Sequence, residues 1–464
     1  VAFNRMMSRE ASIGIDGVYY NPAGVVFMGE GHHLAINWQL AYQTRTINND
    51  YKLFTNNVNN PITPRDFKGK AFAPVIPSFQ YAYNKGKWSF QANFSLTGGG
   101  GKCTFDDGLG SFEKIVSETA IAACELAGVV DQTLGNTLGQ QGMEMFTSDK
   151  AFGKTGKYSF NSYMHGRQYY YGLSAGAAYK FCDNFSAFLG VRGVYALTNY
   201  YGYVENINVG NMPLYKVLDP TKENAANIEL SCDQTGVGFT PIIGVDYKTG
   251  RWNFSAKYEF KTRIRLKNKS VNQTPSIGNL PANLANQMTG ILTDKFHKAG
   301  LPLEQAKQQA ENTTNTVLSD PKVGATMMGL KTQFDQKLNK AIGEYEDGKK
   351  IAGDIPGYLA LGIGYSPVDA VRVNVGFHWF DDKNATSYNN RNKELKRGTL
   401  EYNAGVEVDV NKKITLSTGW QNTNYGLPDE NLDTQASKRY MDDKSFVVSS
   451  NSVAVLSLIH ISEP

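Results

Sequence analysis

Gly172-Leu173-Ser174-Ala175-Gly176 satisfies G-x-S-x-G, the spacing that lifts a nucleophilic serine onto a sharp strand-to-helix turn. Here the five residues lie inside an alternating strand pattern with no turn or helix beside them, so a hydrolase elbow is not expected. Gly98 to Lys102 resembles a phosphate loop but lacks both the six-residue frame and the Ser or Thr after the lysine. His32-His33 has no third metal ligand in view, and Cys103, Cys124, Cys182 and Cys232 form no CxxC or CxxH pair. No catalytic residue, metal or cofactor is therefore expected. Cys103 and Cys124 fall in one predicted loop and could pair in an oxidising compartment; four free thiols is the preferred reading.

The elements carrying these residues are legible from alternation. Trp88-Ser89-Phe90-Gln91-Ala92-Asn93-Phe94-Ser95-Leu96-Thr97 puts Trp, Phe, Ala, Phe and Leu on one face and Ser, Gln, Asn, Ser and Thr on the other. That is the period of a strand with one apolar and one polar side. The pattern recurs at 252–261, 371–379 and 400–409, and about twelve such segments can be counted, many near the ~9–11 residues that a tilted strand needs to cross a bilayer. Their connections alternate in length. Short ones lie at 84–87, 182–184, 248–251, 366–369 and 411–413; long ones run about 48–72, 99–157, 208–226, 268–353, 382–397 and 425–444. Sorting of loops by parity is the asymmetry of a transmembrane antiparallel up-and-down β-barrel, with short turns on one rim and long loops on the other. Trp88, Trp252, Trp379, Trp420 and the Tyr169-Tyr170-Tyr171 run suit aromatic girdles.

Composition agrees. The 464 residues include 26 Tyr, 24 Phe and 46 Gly but only 16 Pro. Mean hydropathy is −0.39, and no stretch approaches the ~18 apolar residues of a spanning helix. The net charge of +4 is spread along the chain, which argues against a nucleic-acid partner. Residues 111–127 and about 281–345 have helical rather than alternating spacing and are expected as short amphipathic helices on the long-loop rim, packed on one another. Residues 1–32 show no alternation. They hold several glycines and the Asn21-Pro22 turn, and a compact apolar segment ahead of the first strand can be buried in the lumen as a plug. The barrel is then expected over 33–455. At its end, 446–455 begins as a strand, while 456–464 loses the alternation and is expected to be a truncated or non-native tail with a final hairpin missing.

The stretch EASIGIDGVYYNPAGVVFMGEGHHLAINWQLAYQTR resembles the hatch and first strand of the FadL/TodX family of outer-membrane long-chain fatty acid and hydrocarbon transporters. The match is local to residues 10–45, and beyond them the agreement is architectural. It implies a fourteen-stranded barrel, of which about twelve strands are visible, and places Asn21, Pro22 and Ala23, followed by Gly24, as the hatch motif. It further implies a monomer in the outer membrane of a Gram-negative bacterium, in contact with membrane lipid and lipopolysaccharide. Transport would be passive: a hydrophobic molecule such as a long-chain fatty acid lands among the outer loops, enters a lumenal pocket and leaves sideways once the hatch rearranges. An apolar cargo loses little by passing from the lumen into hydrocarbon. Sideways exit requires a strand that parts from its neighbour, and Gly98-Gly99-Gly100-Gly101 at the end of the third strand is the candidate. A carboxylate cargo would seek a lumenal cation, and strand parity turns Arg192, Lys257 and Arg372 inward, with Glu259, Glu407 and His378 near them. A diffusion porin and a barrel-anchored adhesin or receptor are the alternatives.

Overall fold

The computed structural model describes residues 6–140, 142–427 and 450–459. Twelve strands follow one another around the wall in chain order, each antiparallel to the next. They are β1 (Gly31–Asn49), β2 (Arg65–Lys85), β3 (Trp88–Phe105), β4 (Tyr158–Lys180), β5 (Phe185–Val209) and β6 (Ile228–Thr249), then β7 (Trp252–Glu259), β8 (Tyr358–Val368), β9 (Val371–Phe380), β10 (Thr399–Asp409), β11 (Ile414–Asn424) and β12 (Ser450–Ile459). The resemblance implies fourteen; among the described residues twelve lie on the main hydrogen-bonded path, three short strands (Met212–Pro213, Arg265–Ser270 and Lys350–Ala352) pair at its flank, and no ladder joins β12 to β1. The expected loop at 425–444 lies largely outside the described residues, as does 460–464. The ladder between β11 and β12 runs on to Ile459, so 456–459 is strand despite its lost alternation.

All five short connections fall on one rim, as the parity of the sequence requires. Side-chain exposure identifies the two faces. Leu34, Ile36, Trp38, Leu173, Leu189, Phe239 and Val245 point away from the enclosed space and are exposed, whereas Gln91, Asn93, Arg192, Lys257, Asn374 and Asn403 are buried. A sandwich would bury the first set and expose the second. A soluble monomer rarely exposes so large an apolar surface, which here forms a belt suited to lipid. Among the described residues no helix is long and apolar enough to span a membrane, which a strand-built wall does not need.

The largest apolar cluster lies in the long loops rather than in the barrel. Helices α1 (Gly110–Leu138), α2 (Leu280–Lys298), α3 (Leu303–Leu318) and α4 (Pro321–Ile342) pack on one another through Val130, Leu134, Leu284, Met288, Val317 and Phe334. Helix α1 is longer than the predicted 111–127. Its second half is held by Asp131, whose carboxylate accepts from the Phe146 and Thr147 amides, and it ends at Gly139 in the left-handed region (φ 63°). All four cysteines are free.

Candidate functional site: the hatch and a break in the wall

Residues 6–30 precede β1 and are enclosed by the wall from β2 round to β11. The Asn-Pro turn shows why the segment stays there. Asn21, almost fully buried, donates to Asp246 of β6 at 2.6 Å, and its side-chain oxygen accepts from the Gly24 amide at 3.2 Å. The Pro22 carbonyl accepts from Gln91 of β3 at 2.7 Å, that of Ala23 from Ser186 of β5 at 2.7 Å and that of Val25 from Asn84 of β2 at 2.8 Å. The Pro22 and Ala23 carbonyls, and that of Val25 in addition to its bond from the Met28 amide, therefore accept from inward polar side chains on several strands, which ties the turn to the wall.

On the opposite side the hatch lies against glycines. A Cβ at Gly362 would stand 2.6 Å from the Cβ of Glu10, and one at Gly405 or Gly419 would meet the Met6 carbonyl. Glycine at these inward positions lets the hatch backbone approach β8, β10 and β11 closely. Beside this seat, His378 of β9 stands between two carboxylates, Glu10 of the hatch at 2.7 Å and Glu401 of β10 at 2.8 Å. Burial pushes the Glu10 carboxyl up, but hydrogen bonds from His378 and from nearby amides outweigh it and hold Glu10 below the usual glutamate range. Sequence reasoning placed His378 inward but missed Glu10 and the glycine seat. The signal available was glycine recurring at inward parity at 362, 364, 376, 405 and 419.

The three inward cations do not act together. Arg192 grips Glu259 through two hydrogen bonds, at 2.6 and 2.9 Å, and Lys257 reaches the same carboxylate at 2.9 Å and the Tyr19 carbonyl at 2.7 Å. Both sit under the Tyr19 ring, 5.3 and 5.1 Å from its centroid. Two cations thus share one carboxylate, covered by the hatch. Arg372 stands apart, held by Glu407 at 2.8 Å and by Asp409 at 2.6 Å, and its pairing leaves no surplus positive charge.

Gly98–Gly101 coincides with the least regular part of the wall. The β2–β3 ladder stops at Phe72–Lys102 and resumes at Ser78–Ser95. On the other side of β3 the register shifts between Leu96 and Gly98 and again between Gly99 and Lys102. Gly99 and Gly101 have φ of 75° and 74°, a conformation that costs a side-chain-bearing residue roughly 1–2 kcal/mol. Two interior cavities adjoin this break. One, of about 310 Å³, lies between Arg9, Tyr19 and Tyr20 of the hatch and Ile76, Pro77 and Leu96 of the wall. The other, of about 540 Å³, is bordered by Gly99, Gly101, Arg45, Gln168, Tyr345 and Arg391.

A wall of antiparallel strands with its apolar side outward, stoppered by an N-terminal segment, defines a hatch-containing β-barrel of the outer-membrane type. In structure the chain is similar to a Pseudomonas aeruginosa FadL homologue, with 13% identity over 92% of this chain and 79% of that one and a TM-score of 0.49. It is also similar to the Ralstonia pickettii toluene transporter TbuX, with 13% identity over 89% and 82% and a TM-score of 0.44. The Pseudomonas putida toluene transporter TodX gives 12% identity over 91% and 82%, with a TM-score of 0.44. No family model and no curated protein matches the sequence.

Proposed function

We propose that this chain carries hydrophobic or amphipathic small molecules, such as long-chain fatty acids or hydrocarbons, passively across the outer membrane of a Gram-negative bacterium. The observation that carries the reading is the coincidence of a wall break with two interior cavities beside a plugged lumen. A porin would need an open aqueous lumen, and a simple anchor would need neither break nor cavity. In this reading the cargo is captured among the helical loops, occupies the cavities along β1 to β4, and leaves sideways past Gly98–Gly101 when the hatch shifts. Asn21, Pro22, Ala23 and Gly24 hold the resting hatch. Arg192 and Lys257, with one carboxylate between them, offer a charge to an acidic head group once Tyr19 moves.

Hatch movement can be blocked covalently. The Cβ of Ala23 lies 3.8 Å from the position a Cβ at Gly244 would take, and that of Ala11 lies 3.4 Å from one at Gly364; disulfides place their Cβ atoms roughly 3.5–4.5 Å apart. A23C/G244C and A11C/G364C are expected to reduce labelled oleate uptake by a transporter-deletion strain to the empty-vector level when oxidised, with recovery on reduction. Unchanged uptake by both fully cross-linked proteins would refute hatch-gated passage.

A further inference from the structure

The outer face above the break carries a cluster of cations that the transport reading leaves unused. On β4 the outward apolar run extends from Tyr179 to Tyr169, alternating with inward residues. Ten steps at ~3.4 Å, tilted by about 45°, give a height of about 25 Å, the thickness of the apolar band on such barrels. The next outward residue is Arg167, whose neighbours Gly166 and Gln168 border the inner cavity. Arg167 pairs directly with Lys102 of β3, and Lys102 is likewise exposed beside the inward Cys103. Lys70 of β2 pairs with Thr104, two residues farther along β3.

Like charges opposite one another across a ladder destabilise it unless an anion lies between them. Among the described residues neither Lys102 nor Arg167 has a carboxylate within ion-pair reach. Asp106 approaches Lys70 at 3.9 Å, with both side chains about two-thirds exposed. Just beyond stands an aromatic surface: Tyr163 and Tyr203 stack at 5.7 Å, and His165 lies 5.5 Å from Tyr201. The long loops mark this rim as extracellular, so the cations lie at the head-group level of the outer leaflet.

We propose that Lys102, Arg167 and Lys70 bind the phosphates of an outer-leaflet glycolipid, whose sugars rest on Tyr163, Tyr201 and Tyr203. The bound head group bridges β3 and β4 where their ladder is shifted and covers the break on its outer side. The inference rests on the strands spanning the membrane and not on what they carry, so a failed uptake experiment leaves it standing.

The test is native mass spectrometry of the purified full chain titrated with bis-phosphorylated lipid A, with dephosphorylated lipid A and with inorganic phosphate. Bis-phosphorylated lipid A is expected to bind at least tenfold more tightly than the dephosphorylated form. K102Q/R167Q should lose that tenfold preference, whereas K85Q/K87Q on the short-turn rim should keep it. Thermal melts of both variants establish that they fold. Equal affinity for the two lipids, or retention of the preference by K102Q/R167Q, overturns the proposal. Inorganic phosphate binding as tightly as the lipid overturns it as well, since the cluster would then be a site for free anions.

Discussion

Asn21→Ala isolates the attachment of the hatch from the stability of the wall. The substitution removes a hydrogen bond of 2.6 Å to the buried Asp246 carboxylate and one of 3.2 Å from the Gly24 amide. A hydrogen bond to a charged group contributes about 1.5–3 kcal/mol and a neutral one about 0.5–1.5. Asp246 keeps its 2.9 Å bond from Asn253, so part of the loss is compensated. The expected destabilisation of the docked hatch is about 2–4 kcal/mol, roughly a 30- to 1,000-fold shift toward the undocked state at about 1.4 kcal/mol per tenfold. The wall ladder uses none of these groups. Hydrogen exchange on protein in lipid nanodiscs reads both parts at once. The amides of Asn21 and Met28, bonded within the hatch to the Gly17 and Val25 carbonyls, should exchange faster by that factor. Amides in the β5–β6 ladder should keep their protection. Unchanged exchange at Asn21 and Met28 would refute the energetic role of the turn. Equal acceleration in the ladder would show that hatch and wall open as one unit.

Leu173, 64% exposed at the middle of the outward run on β4, tests the lipid-facing assignment. Leu173→Arg is expected to cost about 2–4 kcal/mol of folding stability in bilayers, read by urea titration in vesicles, while a water-facing position would show almost no change. Glu10 gives the hatch a pH dependence. Its carboxyl is held below the usual range in the folded protein, so its contribution is complete above the ordinary glutamate value of ~4.3 and is lost as pH falls through the lower folded value. Exchange of the Asn21 and Met28 amides relative to that of the β5–β6 ladder, each corrected for the intrinsic rate at that pH, should increase on acidification. The acid-dependent increase should be largely absent in Glu10→Gln, and an identical acid profile in that variant would sink the assignment.

The fold was legible because each strand must present one face to lipid and the other to a polar interior. That demand writes a period of two into Trp88–Thr97 and Trp252–Lys261, and the sorted loop lengths follow from the two rims. The same parity turned Arg192, Lys257 and Arg372 inward, and Asn-Pro marked the turn of the plug. Local pattern could not say which partners those groups would find. Glu10 meets His378 only because the wall carries two residues 368 positions apart to within 2.7 Å, and Arg192 is neutralised by Glu259 only once β5 and β7 both face the lumen. Four glycines in a row announced an irregular strand, but the break at Gly98–Gly101 depends equally on Ala73–Pro77 of β2, whose pairing no local pattern reveals. Periodicity thus determined the faces of the elements, and tertiary structure decided which inward groups are paired, which are covered and where the ladder between neighbouring strands is interrupted, because those outcomes depend on distances between residues remote in the chain.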